Sequence, residues 1–180
     1  MITLDGKHGW VISYTNKHNI SGKLIEDLNY GDWTFCTSIK PEWDPDKLNF
    51  NIDDKGYRGG IVCRNGMHTG IFNVTWPTDD GEDHLKFIKG ELWYDSPTGE
   101  KKIAVLEKQV KHDGWIDIIL SYNRKESTLV MQVREDYNEG WETELIKIDG
   151  EIIDYGGSHV WVGCANAFHS SPEPQFFQGH

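Results

Sequence analysis

The sequence predicts an all-β fold, a single antiparallel β-sandwich of the jelly-roll type, and three observations carry that prediction. The first is the stretch 114–133, where two apolar runs alternate with period two about a polar turn at 123–127. Ile116, Ile118, Leu120 and Tyr122 form one run; Leu129, Met131 and Val133 form the other. The second is composition: Trp 8, Tyr 7 and Phe 7 suit pleated strands, and 19 Gly supply turns. The third is the set of strand-like runs, roughly ten at about 10–15-residue spacing, with no amphipathic helical period among them.

Taken in order, 10–14 reads as a first strand and 16–29 as a polar connection. Over 32–40, Trp33, Phe35 and Ile39 share one face while Thr34, Ser38 and Lys40 share the other. Residues 41–56, rich in Asp, Asn and Pro, predict a long surface loop. A strand over 59–64, a tight turn at Asn65-Gly66 and a partner strand over 67–76 make a hairpin. Residues 77–83 form an acidic turn, 84–94 a long strand, 95–100 a turn and 102–107 another strand. After the central hairpin come a turn at 136–140, a strand over 142–148, a loop over 149–157 and a last strand over 158–164. Within the hairpin, Asp117, Ser121, Thr128 and Gln132 point away from the apolar side, so that sheet presents a mixed, wettable face.

At 180 residues the chain suits one domain. Its net charge of −11 repels nucleic acid and anionic membrane. No run approaches the roughly 18 consecutive apolar residues of a membrane helix. The start, Met1 to Gly6, lacks a basic segment followed by an apolar one, so neither a signal peptide nor a transmembrane segment is expected and the chain reads as soluble. Cys36, Cys63 and Cys164 lie in apolar or alternating runs and are expected as buried thiols; an odd number argues against a fully paired disulfide framework. Sequons at Asn19 and Asn73 carry meaning only in a glycosylating pathway.

Three pieces of the chain carry a resemblance. Asp32-Trp33-Thr34-Phe35 resembles an aromatic-x-aromatic core strand. Gly114-Trp115 leading into Ile116–Tyr122 and Leu129–Val133 resembles a Trp-led strand with its returning partner. Val160-Trp161-Val162-Gly163, followed by Phe176-Phe177-Gln178-Gly179, resembles a penultimate strand and the start of a closing one. Together they are similar to the concanavalin A-like lectin/glucanase superfamily, in its laminin-G-like branch. The resemblance implies a jelly-roll sandwich and a carbohydrate-binding role, and it transfers no catalytic residue. In that family the closing element leads into a last apolar strand, whereas this sequence stops at His180. A cut from a longer protein or a missing strand is expected, with an open edge that recruits a second copy or the parent protein.

Retaining glucanases of the superfamily set two carboxylates about 5–5.5 Å apart across the scissile bond from one strand. No such string occurs. Glu91 and the pair Glu142 and Glu144 are the nearest strand carboxylates, and both sets are expected as solvated outward positions. No nucleophile triad, phosphate loop or transition-metal spacing is evident among the eight His. Calcium is the one ion whose preference for oxygen ligands suits the acidic loops at Asp44, Asp46, Asp53, Asp54, Asp79, Asp80 and Asp83, but none matches a defined motif and solvated turns are the favoured reading of them.

The remaining signal is aromatic. Sugars offer apolar CH faces ringed by hydroxyls, so their sites pair flat rings with polar donors and acceptors. Trp93 lies on the phase opposite Ile88, Leu92 and Tyr94, and Trp161 opposite Val160, Val162 and Cys164; Arg64, His68, Asn73 and His159 are placed to supply hydrogen bonds. Trp43 and Trp76 are the loop alternates, and Trp33 and Trp115 are assigned to the core. The expectation is a non-catalytic, lectin-like module for a glycan or polysaccharide. A structural or protein-interaction domain of a larger assembly is the alternative. A glycoside hydrolase or polysaccharide lyase without a recognisable motif stands third.

Overall fold

The structure, a computed structural model, describes residues 4–5, 10–14, 32–44, 47–48, 56–64, 69–78, 84–153, 159–165 and 175–180. Among these run β1 (Leu4–Asp5), β2 (Trp10–Tyr14), β3 (Trp33–Ile39), β4 (Tyr57–Arg64), β5 (Thr69–Pro77), β6 (His84–Asp95), β7 (Lys101–Gln109), β8 (Ile116–Asn123), β9 (Thr128–Arg134), β10 (Glu142–Lys147), β11 (Glu151–Ile152), β12 (His159–Val162), β13 (Cys164–Ala165), β14 (Gln175–Phe176) and β15 (Gln178–Gly179). The chain is all-β, with no helix among the described residues.

Two main sheets result. The smaller runs β10-β9-β8-β3; the larger follows β11-β6-β5-β4-β12-β2 with β7 flanking β6. Every ladder is antiparallel except a one-residue parallel contact, Phe176 with Gly60. The period-two reading of 116–133 is what places the smaller sheet. Ile116, Ile118, Leu120, Leu129, Met131 and Val133 are all buried, and the residues between them are partly exposed.

The buried face of that sheet meets Ile61, Ile71, Ile88, Leu92, Ala104 and Leu106 of the larger sheet in one continuous core. Gly90 lies where the layers pack closely. A Cβ there would stand 2.6 Å from Leu120 Cδ1 and 3.2 Å from Met131 Sδ, so any larger residue would force those two side chains to shift. At one border the sheets are joined through side chains. Lys108 of β7 pairs with Glu142 of β10, and Glu144 Oε2 accepts the backbone N–H of Glu107. Carboxylates thereby occupy the edge of β7, where another strand could otherwise add.

A register shift between Gly60 and Val62 bulges β4. Ile61 and Val62 consequently both pack on the inter-sheet core, while Cys63 turns to the opposite side and clusters with Phe72 and Val74.

Several sequence expectations are corrected. Segment 41–56 is not wholly a surface loop, because Pro41, Trp43 and Leu48 are buried and Trp43 belongs to the core. The cause is backbone pairing: Lys40 and His180 exchange hydrogen bonds at 2.8 and 2.9 Å, and Glu42 N–H donates to Gln178 carbonyl oxygen at 3.0 Å. The same bonds, with β1 on the other side, pair Gln178 and Gly179 on both flanks, so among the described residues β15 is not the open edge expected there. Trp115 is 38% exposed rather than core, since it shares the outward phase of Asp117 and Ile119. Cys36 is exposed because it shares the phase of Thr34 and Ser38, whereas Cys63 is buried as expected.

Candidate functional site

The larger sheet gathers most of the residues the sequence singles out, but not as an open platform. Trp93 lies on β6, half-buried, on the face away from the inter-sheet core, opposite Ile103 of β7. Arg64 ends β4 opposite Thr69, and His159 and Trp161 lie on β12, the latter opposite Cys63. His68 lies outside the described residues, as do Asp46, Asp53, Asp54, Asp79, Asp80 and Asp83.

Register aligns Trp161, Cys63, Gly70 and Glu91 in one row across β12, β4, β5 and β6. From Cys63 to Glu91 the row is closed, with Cys63 at 0% and Glu91 at 4% exposure. Glu91 is therefore not the solvated carboxylate the sequence suggests. Its Oε2 accepts Arg58 Nη2 at 2.7 Å, and the Arg58 guanidinium lies 4.0 Å over the Phe72 ring. An ion pair and a cation–π contact thus occupy this part of the face.

Asn73 is a further correction. It is paired with Gly59 and Ile88 and faces the core at 0% exposure, on the side opposite Trp93. Asn73 and Thr75 are both fully buried, which also takes that sequon out of reach. The neighbouring Tyr57 hydroxyl is raised well above its ordinary pKa by burial; the backbone N–H of Gln178, donated at 2.7 Å, and the Asn73 side chain oppose that shift. Tyr57 is thus a neutral, structural group at working pH.

An open groove of about 890 Å³ runs between residues 40–44, His84, Lys86, Asp113 and His180. Its walls carry opposite charges already matched, Lys86 with Asp113 and Lys47 with Asp44 at 2.8 Å, and Trp43 presents no exposed ring to it. Among the described residues no three His, Cys, Asp or Glu side chains are grouped for a metal ion.

The face of the smaller sheet away from the core differs. Its rows, read across the strands, are Ser38–Asp117–Arg134, Cys36–Ile119–Gln132–Thr143 and Thr34–Ser121–Val130–Leu145. All are exposed or half-exposed, Leu145 at 64%. At one end the Arg134 guanidinium lies 5.1 Å from the Tyr137 ring and 4.7 Å from the Trp141 ring, which are 68% and 40% exposed. Trp115 stands at the same end, immediately before β8.

This end is held in shape from below. Arg134 donates through Nε at 3.1 Å and Nη2 at 2.6 Å to Asp117 Oδ2, and Ser38 Oγ donates to the other carboxylate oxygen. Burial alone would raise the Asp117 pKa; the hydrogen bonds from Ser38 and Arg134, with the guanidinium charge, outweigh it and hold the carboxyl below its ordinary value. Buried Glu135 accepts the N–H groups of Lys111 at 2.7 Å and His112 at 2.9 Å, tying that loop to the end of β9. Asp136 Oδ1 accepts the backbone N–H of Asn138 at 2.9 Å, a side-chain-closed turn that fixes Tyr137 between them.

The sequence already marked Asp117 and Gln132 as outward on this face. Alternation beyond Gln132 reaches Arg134, and the aromatic pair Tyr137 and Trp141 in and after the turn that follows is the signal in the sequence for this end of the face. No protein-family model matches the chain, and no curated protein and no solved structure matches it.

Proposed function

We propose that the chain is a non-catalytic carbohydrate-binding module, built as a concanavalin A-like jelly roll, and that it binds glycan on the outer face of the smaller sheet rather than at Trp93 and Trp161. The observation that carries this reading is the exposed pair Tyr137 and Trp141, both stacked on an arginine that Asp117 holds in place. Rings fixed in this way meet the apolar face of a pyranose with little ordering cost. Gln132, Thr143 and Ser121 supply hydroxyl and amide partners along the adjoining strands. Among the described residues of this face no paired carboxylates of glucanase type stand, and the assembly reading loses the open C-terminal edge that favoured it.

A glycan array on the purified protein, repeated with Tyr137→Ala, Trp141→Ala and Trp93→Ala, tests the reading. Selective binding that is lost in the first two variants and kept in the third is the expected result. Binding that survives both ring deletions, or a blank array on folded protein, overturns it.

A further inference from the structure

We infer that β3 joins a second copy of this chain edge to edge, antiparallel about Cys36, so that two molecules share one continuous sheet. The inference stands apart from the carbohydrate reading and starts from the two ends of the smaller sheet, β10 and β3. β10 is guarded as natural edges are: Glu142, Glu144 and Lys147 lie along it, and Lys108 and the Glu107 N–H of β7 hold the two carboxylates. β3 carries no such guard. It reads Trp33-Thr34-Phe35-Cys36-Thr37-Ser38-Ile39, 7 residues without a charge, a proline or a glycine, and its ladder with β8 runs without a register shift. Among the described residues β8 is the one strand paired with it over that length; the bonds to His180 and Gln178 begin only at Lys40. The backbone N–H and C=O groups on its other side are a template for a further strand.

The sequence of that edge favours a copy of itself. A two-fold axis at Cys36, the midpoint of the strand, sets Cys36 opposite Cys36, Thr34 opposite Ser38 and Phe35 opposite Thr37. Thr34, Cys36 and Ser38 are exposed, small and uncharged, so this side of the join meets neither clash nor unpaired charge. At both ends of the join, exposed Asp32 of one copy comes to exposed Lys40 of the other, opposite charges on a chain whose net charge of −11 otherwise repels its own kind. The backbone of Lys40 is already bonded to His180, so those end contacts run through side chains. Four strands from each copy then make one sheet, and its outer face carries two sets of Tyr137 and Trp141.

Sedimentation velocity on the full chain in reducing buffer, from about 2 μM to about 200 μM, tests the inference, because a one-strand contact lies at the small, weak end of interfaces. The expected result is a mean mass that climbs from that of one chain toward that of two. Cys36→Lys and Cys36→Asp each set like charges face to face at the axis and are expected to weaken self-association about threefold or more, while their equimolar mixture restores it. Both substitutions fall at an exposed position, and thermal melting checks that each variant is folded. The mass of one chain throughout the range overturns the inference. So does a dimer that both variants keep, which places the contact on another surface, and so does a mixture that associates no better than its components, which removes Cys36 from the axis.

Discussion

The outer faces of the two sheets are built from similar parts and put to opposite uses. Each carries an arginine–carboxylate pair with aromatic rings against the guanidinium. On the larger sheet the pair is Arg58 and Glu91, with side chains 14% and 6% exposed over a fully buried Phe72. On the smaller sheet it is Arg134 and Asp117, at 25% and 13%, with Tyr137 68% and Trp141 40% exposed. The first arrangement is sealed and contributes to cohesion. The second leaves its rings outside and serves as a rigid mount for them. Solvent access around the same motif, rather than the motif itself, decides between structure and recognition.

Breaking the sealed pair gives the largest expected effect. Glu91→Ala leaves a charged guanidinium in a buried setting and is expected to destabilise the fold by about 3–5 kcal/mol. The open counterpart, Arg134→Ala, is expected to lose no more than about 1 kcal/mol. Urea unfolding of both variants checks the contrast, and equal losses would remove the distinction between the faces.

Next in size is the contact that makes one side of each sheet inner. Gly90→Val drives methyl groups into Leu120 and Met131 and is expected to lose about 1–3 kcal/mol. Gly140, beside the exposed rings, has no atom within 4 Å of its would-be Cβ, and Gly140→Ala is expected to gain about 0.4–1 kcal/mol by restricting the unfolded chain. A loss at Gly140 comparable to that at Gly90 would mean that the turn is packed rather than presented.

The smaller sheet was legible because its information is local. Period two over 116–133 gives both the buried and the outward set, and the same alternation placed Trp93 on the correct face. What the sequence could not give is what lies over a face. Glu91 meets an arginine 33 positions away, and Trp43 is drawn inward by backbone bonds between residues 40–42 and 178–180, pairings that no local pattern announces. The burial of Asn73 has a related origin: β5 is a central strand buried on both sides, with Ile71 and Phe72 each at 0% exposure, so a polar residue on it has no solvent to face.

Trp141→Ala separates binding from stability. Its ring is 40% exposed and its one ring contact is with the Arg134 guanidinium, so the fold is expected to change by no more than about 1 kcal/mol, while glycan affinity falls at least about tenfold, the loss of roughly 1.4 kcal/mol. Thermal melting beside binding isotherms reads both, and a melting shift as large as that of Glu91→Ala would reassign the ring to structure.

The smallest effect lies in acid. The Asp117 carboxyl has a folded pKa below its unfolded value of about 3.9. Its contribution is therefore fully present above that unfolded value and is lost as pH falls through the lower, folded one. Asp117→Asn should be slightly less stable than the unaltered protein at neutral pH, and the two stability curves should converge as pH falls through the lowered, folded value and the native carboxyl protonates. Ring presentation should follow the same course, because protonated Asp117 no longer holds Arg134 as an ion pair beneath Tyr137 and Trp141. Glycan affinity of the unaltered protein is expected to weaken over the acid range in which the stability difference closes, and that of Asp117→Asn to stay flat there. A parallel decline in both would place the acid sensitivity elsewhere and leave Arg134 as a brace that needs no charged partner.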